Sequence, residues 1–322
     1  MDETTFWIIV FVVSLAGLLK FSEMFIKSSE KIGHAFGFSP FVIGALILAL
    51  GTSLPELISG IFAVINNSPE ILVGNVVGSN ITNIFFVLGI VALMSKKIEI
   101  DYDIIKIDLP LLAGSAFLLA FAIWDGVFSM IEAVLFLAGA ILYIHYILTS
   151  RNVATILELD EEEIKKTTER SARQLSFKHY VLLVISGAGL YFSADYNIQS
   201  IIIVAEKFDI GGEFIALTVV ALGTSLPELV VSIIASIRGN AEMAVGNILG
   251  SNIFNSFAVM AIPAFFGSIT IPDSIITFSL PVMLMATIIY FFMVQDRTVS
   301  RWEGGMLLIF YVFFIVQLVT MI

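Results

Sequence analysis

Cysteine is absent from the 322-residue chain, which excludes disulfides, thiolate metal sites and cysteine nucleophiles. Charge is scarce: 13% of residues are Asp, Glu, Lys or Arg, about half the share in a soluble domain. The three histidines, His34, His145 and His179, are scattered. Each is expected at a membrane interface rather than around zinc or copper. Asp2 and Glu3 stand before the first apolar run in place of Lys or Arg, and no small-residue cleavage site follows, so a mature span is expected there rather than a cleaved signal. The net charge of −11 resides mostly in loops and carries no inference about nucleic acid.

What is abundant is apolar surface. Hydrophobic residues make up 58% of the chain and the mean hydropathy is +1.01. Apolar runs of roughly 16 to 26 residues recur along the whole length, and about 20 suffice to cross a bilayer core as a helix. The runs extend from Phe6 to Ile26, Pro40 to Ile65, Ile71 to Met94, Leu109 to Trp124, Val127 to Leu148, Tyr180 to Val204, Phe214 to Ile237, Ala241 to Phe266, Ile275 to Val294 and Trp302 to Met321. An all-α membrane protein with ten transmembrane helices is therefore expected. Lys27, Lys31, Lys96, Lys97, Lys106, Arg151, Lys165, Lys166, Arg170, Arg173, Lys178, Arg238, Arg297 and Arg301 fall on one side of this arrangement, and Lys207 alone lies opposite. The positive-inside rule then puts both termini outside and residues 150–178 in the cytoplasm, with Lys20 snorkelling to the same inner surface.

The chain repeats itself at an offset of 172 residues. ALGTSLPEL at Ala49 to Leu57 returns unchanged at Ala221 to Leu229, and GNVVGSNITN at Gly74 to Asn83 returns as GNILGSNIFN at Gly246 to Asn255. Five expected spans separate the copies, so the second half would be inserted upside down: residues 1–149 form one five-helix repeat, 150–178 a linker, and 179–322 the inverted repeat. Such repeats place a transported substrate at their interface, near the midplane. The linker carries DEEE at Asp160 to Glu163 but lacks EF-hand spacing.

Glu56 and Glu228 lie well inside the second and seventh runs, where an ionised carboxylate without a partner is costly. Each follows a proline in GTSLPE. Pro55 has no N–H and its ring crowds the Gly51 carbonyl, which should loosen the helix around Thr52 and free backbone oxygens, with the same effect at Gly223 and Thr224. The neighbouring motif adds Asn75, Ser79, Asn80 and Asn83, and Asn247, Ser251, Asn252 and Asn255. Ser79 with Asn83, and Ser251 with Asn255, are i,i+4 pairs that share a helix face. The other four asparagines are expected to tie helices together. Gly74, Gly78, Gly246 and Gly250 are spaced for close helix contact. Carboxylate, carbonyl, hydroxyl and amide oxygens make a set suited to a hard cation such as Ca²⁺.

GTSLPE paired with GNxxGSN, present twice, resembles the two alpha repeats of the sodium/calcium exchanger family, in a form without a regulatory domain. The resemblance covers all ten runs. It implies ion ligands at Ala49, Thr52, Ser53, Glu56, Ser79 and Asn83, and at Ala221, Thr224, Ser225, Glu228, Ser251 and Asn255. The glutamates and threonine carbonyls would hold Ca²⁺, with alanine carbonyls and serine hydroxyls completing outer Na⁺ sites. It further implies Na⁺/Ca²⁺ antiport by alternating access in a cell membrane, without cofactor, nucleic acid or obligatory protein partner. Potassium-dependent members have aspartate where this chain has Asn255, so potassium independence is expected.

The first and sixth spans would slide as the gate, with Glu23 and Asp195 making hinge or interface contacts. Proton-coupled Ca²⁺ antiport is the main alternative, followed by potassium-dependent exchange and a passive cation channel. An intramembrane hydrolase using paired carboxylates lacks any accompanying His or Cys.

Overall fold

The computed structural model describes residues 3–95, 97–149, 175–207 and 225–320. Backbone polar groups in lipid must be paired within the segment that carries them, and the described chain is helical almost throughout. The helices are α1 (Glu3–Ala35), α2 (Pro40–Ile65), α3 (Pro69–Met94), α4 (Asp108–Ala122), α5 (Met130–Thr149), α6 (Phe177–Lys207), α7 (Leu226–Ile237), α8 (Ala241–Phe265), α9 (Ile275–Val294) and α10 (Arg301–Thr320). Eight are long and apolar enough to cross a membrane; α4 and α7 are shorter as described. Most of residues 150–178, and residues 208–224, which include the first part of the expected seventh span from Phe214, lie outside the described residues.

The first helix outruns the apolar run by nine residues, so Lys27 and Lys31, expected in a loop, sit on its closing turns. Polar side chains at a membrane surface can continue a helix that hydropathy would end.

Helices α2, α3 and α8 form the centre. Contact there is backbone to backbone: a Cβ on Gly246 would fall on the Phe41 carbonyl, one on Gly250 on the Ala45 carbonyl, and one on Gly44 on the Met243 carbonyl. Association in lipid relies on such close approach, because apolar burial supplies little drive. The first-copy pair is looser: a Cβ on Gly74 would meet only Ile275, at 3.9 Å, among the described residues. Helices α1 and α6 pack against each other at the rim. Gly17 faces Ser193, Gly189 faces Phe21, and Asn197 Nδ2 donates to Ser14 Oγ at 3.1 Å.

Elements related by the 172-residue offset adopt matching local structure. Single π-turns occupy Asn83–Val87 and Asn255–Val259. Asn67 and Gly239, also 172 apart, turn the chain at φ 58° and φ 86°, a region open to asparagine and glycine. Four two-residue strands went unseen in the sequence: β1 (Ile98–Glu99) pairs antiparallel with β4 (Thr298–Val299), and β2 (Val127–Phe128) with β3 (Ile269–Thr270). Both ladders join one copy to the other.

Candidate functional site

The helix break expected around Thr52 falls at Ser53. Its φ of −87° and ψ of 2° leave the helix, and Leu54 starts it again with Pro55 in the first turn. Ser225 repeats this at φ −87°, ψ 7°, ahead of Pro227. A proline is tolerated in the first turn of a helix because the missing N–H would have had no partner there. The break therefore sets Glu56 and Glu228 on the first turns of helical segments that begin inside the protein.

Both glutamates are fully buried, at 0% exposure, as are Thr52, Ser53, Asn83, Ser251 and Asn255; Ser79 and Ser225 are at 1%. Ala49 is buried as well, and its carbonyl accepts the Ser53 N–H at 3.0 Å, so one of its lone pairs is used within the helix. Ala221 and Thr224 lie outside the described residues.

The two copies meet through hydrogen bonds. Ser53 Oγ of the first donates to Glu228 Oε1 of the second at 3.3 Å. Thr52 Oγ1 donates to the Leu48 carbonyl at 3.1 Å and lies 3.3 Å from Asn247 Oδ1. Glu56 follows Ser53 by three residues, on the helical segment that Ser53 opens. Among the described residues neither oxygen of Glu56 has a hydrogen-bond partner, and the same holds for Glu228 Oε2, Ser225 Oγ, Ser251 Oγ, and both side-chain polar atoms of Asn255. The large majority of buried side-chain polar atoms are paired, so unpaired atoms at the motif residues of both copies mark residues suited to bind something. The atoms are oxygen-rich and the formal charge is negative, the requirement of a hard cation. Among the described residues no ion pair reaches either glutamate, and no cluster of three His, Cys, Asp or Glu suggests a softer metal.

Of the asparagines expected to tie helices together, Asn80, Asn247 and Asn252 do so, while the bond of Asn75 to Ser79 stays within α3. Asn80 Nδ2 donates to Ser256 Oγ at 3.0 Å and to the Asn252 carbonyl at 3.4 Å. Asn83, expected at the site, donates to Asn252 Oδ1 at 3.1 Å, and Ser79 to Asn75 Oδ1 at 3.1 Å. Ser232, which accepts from Asn247 at 3.0 Å, and Ser256 were missed. Their repeat mates are Gly60 and Ile84, so comparing the copies could not have found them. Among the described residues the side-chain hydrogen bonds of Glu23 and Asp195 stay within their own helices, to Lys27 and Gln199.

A multi-pass helical membrane protein with two sealed carboxylates among hydroxyl and amide oxygens belongs to the class of cation transporters. The sodium/calcium exchanger protein family matches residues 6–150 and 178–320, and the chain is a member of that family. It is 31% identical to sodium/calcium exchanger MaX1 of Methanosarcina acetivorans, over 96% of this chain and 97% of the relative. It is 28% identical to the inner membrane protein YrbG of Escherichia coli, over 92% and 91%. Among solved structures, the sodium-calcium exchanger NCX_Mj soaked with zero Na⁺ and Ca²⁺ superposes with a TM-score of 0.81 at 29% identity, covering 98% of this chain and all of that one. The protein is thus a cation/Ca²⁺ antiporter rather than an enzyme.

Proposed function

We propose that this antiporter exchanges Na⁺ for Ca²⁺ by alternating access, independently of K⁺. Ten spans in two inverted repeats, 1–149 and 179–322, enclose one midplane site, with both termini outside and residues 150–178 in the cytoplasm. The ligands are Ala49, Thr52, Ser53, Glu56, Ser79 and Asn83 with Ala221, Thr224, Ser225, Glu228, Ser251 and Asn255. The observation that carries the reading is the bond from Ser53 of one copy to Glu228 of the other, beside a Glu56 whose oxygens accept nothing. Both copies of GTSLPE thereby contribute to a single sealed spot.

Two carboxylates closed off from solvent repel each other and lack hydration, so an empty carrier stalls. One Ca²⁺ or several Na⁺ cancels that charge and lets the site close and reopen on the other face. Competition for Glu56 and Glu228 then produces exchange without the two ions binding together. Coupling to Na⁺ rather than H⁺ is favoured by the neutral GNVVGSN and GNILGSN motifs, which add no further carboxylate.

The test is Ca²⁺ uptake into proteoliposomes driven by an outward Na⁺ gradient. Wild type takes up Ca²⁺, while Glu56→Gln and Glu228→Gln do not. Uptake driven equally well by a proton gradient without Na⁺ would overturn the coupling, and flux without any counter-ion would make the protein a channel.

A further inference from the structure

Buried serines in an apolar helix ordinarily donate to a carbonyl of the preceding turn. Ser14 does so to Phe11 at 2.9 Å, Ser186 to Leu182 at 2.6 Å, and Ser200 to Asn197 at 2.6 Å. Ser22 and Ser29 of α1 do not. Both are at 0% exposure and neither hydroxyl has a hydrogen-bond partner among the described residues. Seven residues apart, they share one stripe of the helix and stand about 10 Å from each other. Between them Phe25 packs on Gly51, and further on Gly33 meets Ile43, so α1 runs antiparallel along α2. This register sets Ser22 level with the break at Ser53, and Ser29 nearer the end that carries Lys31. Helix α1 also packs along α7, whose first turn holds Glu228.

The stripe ends at a clasp. Glu30 accepts from Arg238 Nη2 at 3.3 Å and from Asn240 Nδ2 at 2.7 Å, on either side of Gly239 in the turn between α7 and α8. The repeat mates of these three residues are Ile202, Asn66 and Ser68, so the other copy cannot build the same charged clasp.

We propose that Ser22 and Ser29 line the passage by which cations move between the site and the cytoplasm, and that the Glu30–Arg238–Asn240 clasp is its gate. The proposal rests on the orientation and alternating access given above. The two hydroxyl oxygens replace part of the hydration shell of a passing Na⁺ or Ca²⁺, which accounts for their having no partner in the protein. When α1 moves away from α7 the clasp parts. Its partly exposed ion pair regains water, so opening costs little.

The chain's lack of cysteine makes a single introduced thiol readable. S29C in the full-length protein, reconstituted in vesicles, is treated with a membrane-impermeant cationic thiosulfonate from the face bearing residues 150–178. Labelling should be slow with the clasp intact. Adding E30Q or R238Q should speed it several-fold, up to roughly fivefold for about 1 kcal/mol removed from the closed state. The charge swap E30R/R238E should restore slow labelling, and modified S29C should no longer exchange. Equal labelling with and without the clasp overturns the proposal. So does labelling confined to the opposite face, or modification that leaves exchange intact. Labelling needs no ion gradient, so it is read separately from Na⁺ coupling, which counterflow in the unmodified protein tests.

Discussion

Asn80 and Asn252, 172 residues apart, each donate a side-chain N–H to the other's backbone carbonyl, at 3.4 and 3.3 Å. Two identical residues at matching positions of the repeat thus serve each other where its two copies meet. Asn80 also donates to Ser256, and Asn252 accepts from Asn83. Neither residue belongs to the proposed ligand set.

Removing either amide from this pair should destabilise the protein, and removing that of Asn80, whose side chain bonds to no proposed ligand among the described residues, should leave ion preference unaltered. Interhelical hydrogen bonds in membranes average about 0.6 kcal/mol, and an orphaned buried carbonyl adds to that. Asn80→Ala and Asn252→Ala should each lower the melting temperature in detergent. The double variant should lose less than the sum, since one reciprocal contact underlies both losses. Strict additivity would show that the two amides act independently.

The glycines of α8 give a sharper test of packing. A methyl group on Gly250 would fall on the Ala45 carbonyl, and backbone cannot step aside as a flexible side chain can. Gly250→Ala should cost ~1–3 kcal/mol, the usual range for overpacking. Gly305, which has no atom within 4 Å of a Cβ among the described residues, is the control. Gly305→Ala should change stability by less than about 0.5 kcal/mol.

Most of this was legible in the sequence because the bilayer enforces simple rules. Long apolar runs became helices, the 172-residue repeat foretold matching breaks at Ser53 and Ser225, and buried Glu56 and Glu228 stood out as costly. What stayed hidden came from one copy alone or from long-range pairing. Ser232 and Ser256 have no polar counterpart in the first copy. The strands at Ile98–Glu99 and Val127–Phe128 are too short to show a period and pair with residues more than a hundred positions away. The end of α1 was misplaced because hydropathy marks where lipid ends and not where hydrogen bonding ends.

Calcium itself should stabilise the protein through the two glutamates. A ligand that binds only the folded state adds about 2.7 kcal/mol at a hundred times its Kd. Melting of wild type in Na⁺-free detergent should therefore rise with Ca²⁺ in a saturable way. Glu56→Gln and Glu228→Gln should show little or no rise, because each leaves one carboxylate to face a divalent charge. In the absence of ions these variants should melt no lower than wild type, since each removes a buried charge that has no cationic partner. A full Ca²⁺ shift in Glu56→Gln would exclude that residue from the site.

Asn255 separates the two copies chemically. Its mate Asn83 is tied to Asn252, whereas both polar atoms of Asn255 are buried without a partner. A neutral amide at this position leaves the site with the charge of two carboxylates, which a single Ca²⁺ balances. Replacing Li⁺ by K⁺ with the membrane potential clamped should accordingly leave the wild-type exchange rate unchanged. Asn255→Asp adds a third buried carboxylate next to the other two, and a lone Ca²⁺ no longer neutralises the closed site. Its exchange should slow by roughly tenfold, corresponding to about 1.4 kcal/mol. Part of that rate should return when an extra monovalent cation is supplied to pair with the new charge. A strict K⁺ requirement in wild type, or an Asn255→Asp variant that exchanges at the wild-type rate without extra monovalent cation, would show that charge balance at this position does not govern closure.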